Sequence, residues 1–305
     1  MHCSKDVLNF NNNKVKTLKN DSLYPYKKLA YIYLADNNIR KIDEAAFVNQ
    51  HYLDVLDLTQ NRFVTLPKSL FQMPYLRTLY LDDNLLTDSV FKMKVTSPIR
   101  LLQLARNELT MIPNIGVQPT LLDLNVSNNN IISISTEDLA PFCSLKVLDL
   151  SRNKISFNTD SCDCQTFSAW VKLRQIKMEP KDLYKCIDSP TGQNENCANV
   201  GFSNRTYELF NECLAMIQQE MKTENRFVWI SVALCVSVFF IMVFTALFCV
   251  HKRICRRRRK QKEQQQPTAI YNNIEQLQQQ SDDNYEIIQE ANICHFDIIC
   301  WSFYN

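Results

Sequence analysis

A pattern of five anchored positions, L-x-x-L-x-L-x-x-N-x-L, runs through the first half of this chain. It reads Leu29, Ile32, Leu34, Asn37, Ile39, and returns as Leu53, Leu56, Leu58, Asn61, Phe63. Then come Leu76, Leu79, Leu81, Asn84, Leu86 and Ile99, Leu102, Leu104, Asn107, Leu109. The last two copies are Leu121, Leu124, Val126, Asn129, Ile131 and Leu145, Leu148, Leu150, Asn153, Ile155. The asparagines advance by 24, 23, 23, 22 and 24 residues, and a weaker copy (Leu8, Phe10, Asn13, Val15, Leu18) stands another 24 residues upstream. A unit this short, one strand plus a loop or helical turn, cannot bury its apolar side chains alone. Neighbours must stack, and their apolar positions merge into the core of a curved solenoid. The recurrent Asn sits where the chain leaves the strand, and its amide can bond backbone groups of adjacent coils, which is a structural task. The chain has only three glycines, so the turns are expected to be built on Asn instead.

Over roughly residues 5–160 these motifs resemble the leucine-rich repeat family. The resemblance implies an α/β-type solenoid with a curved parallel sheet on its concave face. Residues 1–28 read as a divergent N-terminal capping repeat and 29–160 as six repeats. Phe47, Phe71 and Phe142 are expected to form an inward column on the convex side. Only Cys3 stands where a cysteine-rich N-terminal cap would be.

An open solenoid exposes its last apolar layer and needs a cap. Past Ile155 the pattern stops, and Cys162-Asp163-Cys164 is followed by Trp170, Cys186 and Cys197, with Phe157, Phe167, Tyr184 and Pro190 nearby. This is similar to the disulfide-linked C-terminal cap of the family, placed at 161–213. By that resemblance Cys162 and Cys164 each bond a later cysteine. Cys213 rivals Cys197 for the last place, so the connectivity stays open. Four such cysteines also fit a zinc site, but an extracellular setting favours disulfides. Cys143 falls on the convex side of a repeat and is read as a buried core residue.

After a juxtamembrane stretch at 214–226, residues 227–250 are 24 uncharged, mostly apolar residues. About twenty suffice to cross a bilayer core as a helix. Eight basic residues lie between Lys252 and Lys262, and no Lys or Arg follows. By the positive-inside rule the N-terminal 226 residues are extracellular and the tail, 251–305, is cytosolic. The expected location is the plasma membrane. The first fourteen residues hold no apolar h-region, so a signal peptide is expected upstream of this sequence. Three N-x-S/T sequons, at Asn20, Asn125 and Asn204, fall on the extracellular side.

The tail is too short for a signalling domain and is expected to be disordered, with Gln-rich stretches. Residues 251–262 suit anionic lipid headgroups, and Cys249 and Cys255 at the boundary suit palmitoylation. Tyr271-Asn-Asn-Ile274 and Tyr285-Glu-Ile-Ile288 each place Ile three residues after Tyr. That spacing fits phosphotyrosine docking by an adaptor or co-receptor, or endocytic sorting.

Glycines at 116, 192 and 201 cannot make a phosphate-cradling loop, and the four histidines show no metal-ligand spacing. Neither an enzyme nor a cofactor or metal is expected, and a net charge of +2 points to no nucleic acid. In the strands, side chains alternate between core and surface. One exposed column is Asn9, Tyr33, Asp57, Tyr80, Gln103, Asn125 and Asp149; a second is Val7, Tyr31, Val55, Thr78, Leu101, Asp123 and Val147; a third includes Asp82. From these, Tyr31, Tyr33, Asp57, Tyr80, Asp82, Gln103, Asp123 and Asp149 are the candidate ligand contacts, since tyrosines dominate interface hot spots. The expected function is a single-pass receptor for a protein or microbial ligand, similar to leucine-rich-repeat cell-surface receptors and to the transmembrane leucine-rich immune proteins of insects. The alternative is an adhesion or matrix-organising protein that only anchors. A sugar on Asn125 would cover the C-terminal part of the face.

Overall fold

The computed structural model describes residues 6–158, 161–181, 186, 197 and 201–279, with residues 224–225 and 262–279 described by backbone alone. It divides into two compact units, Met1–Asn225 and Arg226–Asn305.

The first unit is a parallel-sheet solenoid. Its strands are β1 Asp6–Asn9, β2 Thr17–Leu18, β3 Leu29–Tyr33, β4 Lys41–Ile42, β5 Val55–Asp57, β6 Thr78–Tyr80, β7 Leu101–Gln103, β8 Asp123–Asn125, β9 Val147–Asp149 and β10 Lys177–Glu179. Eight of them form one sheet in the order β1-β3-β5-β6-β7-β8-β9-β10, and β2 pairs with β4 on the convex side. Every pairing is parallel. Each template Leu lands in register with its counterpart: Ile32, Leu56, Leu79, Leu102, Leu124 and Leu148 form one column and are all 0% exposed. On the convex side Phe47, Phe71 and Phe142 are buried as expected, joined by Phe91, whose ring meets Phe71 edge-on at 6.0 Å. Short 3-10 turns, Lys68–Gln72 and Asp88–Phe91, bring Phe71 and Phe91 inward, and the helix α1, Thr136–Leu139, buries Leu139 in the same core.

The asparagines tie coil to coil. Asn84 donates from Nδ2 to the Leu81 and Asp82 carbonyls of its own turn, at 3.1 Å each, and to Leu58 O of the coil before at 3.0 Å. Its Oδ1 accepts the Phe63 N–H at 3.1 Å. Asn37, Asn61, Asn107 and Asn129 repeat the arrangement. Each is buried, and its amide is satisfied as burial requires. The turns are built on these asparagines, and the left-handed residue of each is the one before the Asn. Asn12, Asp36, Gln60, Asp83, Arg106, Asn128 and Arg152 have φ between 50° and 58°. The Asn needs ordinary geometry to aim its amide, so its neighbour takes the strained conformation and side chains as large as Arg are tolerated there.

The last coil is closed by α2, Asp163–Leu173, and by β10, which extends the sheet beside β9. Cys162 is bonded to Cys197 and Cys164 to Cys186, so these cysteines are disulfides and not zinc ligands. Cys143, read as a buried core residue, is buried and also bonded to Cys213. Tyr184 and Pro190 lie outside the described residues, as does Cys3. The helix α3, Asn204–Gln279, begins against this cap. Trp170 packs edge-on to Phe202 and Phe210 at 5.1 and 5.3 Å, and the Arg174 guanidinium lies 4.2 Å from the Phe210 ring centre. Thr206, fully buried, bonds Thr136 through the two hydroxyls at 2.8 Å.

In the second unit the same helix is long and apolar enough to cross a membrane, with a mean hydropathy of 2.7 over its most apolar window. It is described as far as Gln279 and takes in the polybasic stretch and Tyr271. Of the tail expected to be disordered, residues 280–305, with Tyr285, lie outside the described residues. Cys249 and Cys255 are exposed free thiols.

Candidate ligand-binding face

The parallel register sets the exposed columns side by side. Tyr33, Asp57, Tyr80, Gln103, Asn125 and Asp149 face their neighbours across successive strands, and so do Tyr31, Val55, Thr78, Leu101, Asp123 and Val147. All are half-buried. Strands lie about 4.8 Å apart, so adjacent side chains of a column touch. The Gln103 amide donates to Asp123 Oδ1 at 3.4 Å, joining the two columns.

Several of these polar groups also hold the turn. The N–H two residues past the strand end needs an acceptor, and the coils supply it in two ways. Asp57, Asn125 and Asp149 accept it within their own coil, from Thr59, Ser127 and Ser151, each at 2.9 Å. Where Tyr33 or Gln103 occupies the strand end, the acceptor comes from the coil before. Asn11 takes the Ala35 N–H and Asp82 takes the Ala105 N–H, each at 2.7 Å. One carboxylate oxygen of Asp57, Asp82 and Asp149 is therefore committed to backbone. Sequence reasoning missed this division of labour, because the partner of Asp82 lies 23 residues away.

The floor is electrostatically loaded. Burial pushes the Asp82 carboxyl up to about 6; the Ala105 N–H opposes this, and the charges of Asp83 and Asp57 add to it. Burial also raises Asp123, with Gln103 opposing and Asp149 reinforcing. The Tyr80 phenol is raised by burial and then by Asp57, Tyr33, Asp82 and Asp123. Tyr80 thus sits at the centre of an acidic patch, its hydroxyl held protonated. Such a patch suits Lys, Arg or a hydrogen-bond donor of a partner. Among the described residues no three His, Cys, Asp or Glu side chains are grouped to hold a metal ion.

Of the sequons, Asn20 is exposed, with its Oδ1 accepting the Ala45 N–H at 3.1 Å. Asn125 lies within the column between Gln103 and Asp149. Asn204 is exposed at the start of α3.

The Leucine rich repeat family model matches residues 27–86 and 97–155. Keratocan of Danio rerio is 29% identical over 155 residues, which cover 49% of this chain and 43% of that protein. Tsukushi of Gallus gallus is 30% identical over 156 residues, 49% of this chain and 42% of that protein. The chain spans less than half the length of these two relatives. The structure of the Toll–Spatzle complex matches over 56% of this chain and 28% of that chain, at 23% identity and a TM-score of 0.44. The residues that the family model covers carry the six full asparagine turns and the strands β3 to β9: over 27–86 and 97–155 the chain is built of leucine-rich repeats.

Proposed function

We propose that this chain is a single-pass cell-surface receptor whose solenoid holds a protein ligand on the N-terminal part of its concave face. The observation that carries this reading is the run of Tyr33, Asp57, Tyr80 and Gln103 in adjacent strands, half-exposed and outside the core. Tyrosines flanked by carboxylates are what a protein interface with a cationic partner needs at its centre. The membrane part of the reading is supported by the apolar stretch of α3, where Trp229 and Phe244 are 73% and 75% exposed, and by the basic residues that follow it. The basic segment would lie on anionic lipid, with Cys249 and Cys255 placed for acylation there. Glycans at Asn20 and Asn204 would leave the tyrosines open, and one at Asn125 would restrict the ligand to the N-terminal strands. Output would pass to partners recruited at Tyr271 and Tyr285.

The test uses the full chain behind a supplied leader, tagged at both ends. An N-terminal tag stained on intact cells and a C-terminal tag stained only after permeabilisation are expected; the reverse pattern refutes the topology. Asp57→Asn with Tyr80→Ala should abolish capture of ligand. Tyr271→Phe with Tyr285→Phe should abolish ligand-induced output while leaving capture intact. Unchanged biological activity in that last variant favours the anchoring role.

A further inference from the structure

Beside the acidic floor lies a surface of opposite chemistry. The register that pairs Tyr31 with Val55, Val55 with Thr78 and Thr78 with Leu101 also aligns the residues that enter each strand. Three residues upstream of that row stand Lys28, Tyr52 and Tyr75; one residue upstream stand Asp54, Arg77 and Arg100. The backbone continues the alignment: the Arg77 N–H donates to Asp54 O at 2.9 Å and the Arg100 N–H to Arg77 O at 2.7 Å. Tyr52 and Tyr75 are 60% and 50% exposed. Lys28, Arg77 and Arg100 are exposed as well. Asp54, half-buried, meets Arg77 at 3.6 Å. The rim widens at its N-terminal end, where the exposed Tyr24 and Tyr26 flank a loop pinned by the buried Gln50. Its Nε2 donates to Leu23 O and Tyr26 O at 3.1 and 2.8 Å. The fold requires none of these exposed groups, because Leu29, Leu53 and Leu76 between them fill the core.

We propose that this rim, with Tyr52 and Tyr75 as anchors and Lys28, Arg77 and Arg100 as cations, docks an extended acidic segment of a protein partner running across the coils. Charge complementarity names the partner. Guanidinium groups take carboxylates in paired hydrogen bonds, and exposed tyrosines offer rigid apolar area for side chains between them. Adjacent coils stand about 4.8 Å apart, and alternate residues of an extended chain about 6.7 Å apart, so long arginine side chains in neighbouring coils reach carboxylates on one face of such a segment. A uniformly charged sulfated glycan fits less well. It would lay anions over Asp54 within the rim and over Asp57 and Asp82 beside it, whereas a peptide can place carboxylates on the cations and neutral residues over the acids. The surface is distinct from the concave columns, so its failure leaves the receptor reading standing.

The test measures fluorescence anisotropy of a labelled short peptide alternating Glu and Val, titrated with the full-length chain in detergent. Saturable binding is expected. Arg77→Glu with Arg100→Glu should weaken it about tenfold, and Tyr52→Ser with Tyr75→Ser should weaken it severalfold. Arg77→Lys with Arg100→Lys should retain most of it, which separates lost charge from lost fold. Asp57→Asn with Asp123→Asn, on the floor, should not weaken it. No binding of the peptide, or equal binding by the charge-reversed chain, overturns the proposal. It is also overturned if a heparin fragment binds more tightly and the tyrosine substitutions weaken neither ligand.

Discussion

Asn107 closes the turn of a coil it does not belong to: its Oδ1 accepts the Leu86 N–H at 3.0 Å, across 21 residues of sequence. Its Nδ2 meanwhile donates to Leu81 O of that earlier coil at 3.0 Å and to Leu104 O and Ala105 O of its own. Asn107→Ala would leave a buried N–H and buried carbonyls without partners. The expected cost is about 2–4 kcal/mol, read as a fall in the unfolding midpoint. Asn107→Asp should be at least as damaging at neutral pH, since a carboxylate keeps the acceptor but turns oxygen toward three carbonyls. A loss below about 0.5 kcal/mol for both variants would show that the ladder is replaceable by water.

Gln60 stands immediately before Asn61 with φ of 56°. A side chain with a Cβ pays about 1–2 kcal/mol for that conformation, while its N–H is satisfied by Asp82 O at 2.9 Å. Gln60→Gly relieves the strain but loosens the unfolded chain by about 0.5–1 kcal/mol. A net gain of about 0.5 kcal/mol is expected. Gln60→Val should lose stability, because a β-branched side chain suits this region least. Thermal midpoints ordered Gly above Gln above Val would support the assignment; Val equal to Gln would contradict it.

How much of this was legible follows from where each interaction lies along the chain. Ile32, Leu56, Leu79 and Leu102 were legible as core, and Tyr33, Asp57, Tyr80 and Gln103 as a shared column. Both follow from period two within one strand and a constant interval between strands. The left-handed position was not legible because its occupants, among them Asp36, Gln60, Asp83 and Arg106, differ in size and charge. The geometry there is imposed by the asparagine beside them, not by the residue that bears it. Asp82 could not be told from Asp57 on sequence, because what turns its carboxylate inward is an N–H in the next coil. The partner of Cys143 lies 70 residues away, beyond any local pattern.

Asp82 makes the solenoid's stability depend on pH in a direction opposite to most carboxylates. Its pKa, pushed up to about 6 in the folded chain, stands above the unfolded value of about 3.9. The folded state therefore binds the proton more tightly than the unfolded state does. This contribution strengthens folding as pH falls from about 7 toward 4, and flattens where both states are protonated. Asp82→Asn keeps an acceptor for the Ala105 N–H and removes the charge. It should raise the unfolding midpoint at pH 7.5 more than at pH 4.5. An equal shift at both values would mean that the ionised group carries no penalty there.

The bond between Cys143 and Cys213 secures the first turns of α3 to the last coils. It links residues 70 apart, and Cys213 is fully buried. Removing a bridge that closes a long loop costs about 2–5 kcal/mol. The local consequence is more specific, because the bridge stands among non-covalent contacts at the start of this helix: the hydroxyl pair Thr206 and Thr136, the Trp170 and Arg174 contacts of Phe210, Leu209 packed against the core, and, just before the helix, Ser203 Oγ donating to Glu137 at 2.7 Å. Cys143→Ser with Cys213→Ser should therefore raise amide exchange across Leu209–Ile217 well above that of the Leu102 and Leu124 strands. Thr206→Val in the same background should raise it further, since that change leaves the buried Thr136 hydroxyl without its partner. Exchange in 209–217 that stays as slow as in the strands would show that the remaining contacts hold the helix, and that the disulfide is redundant for its placement.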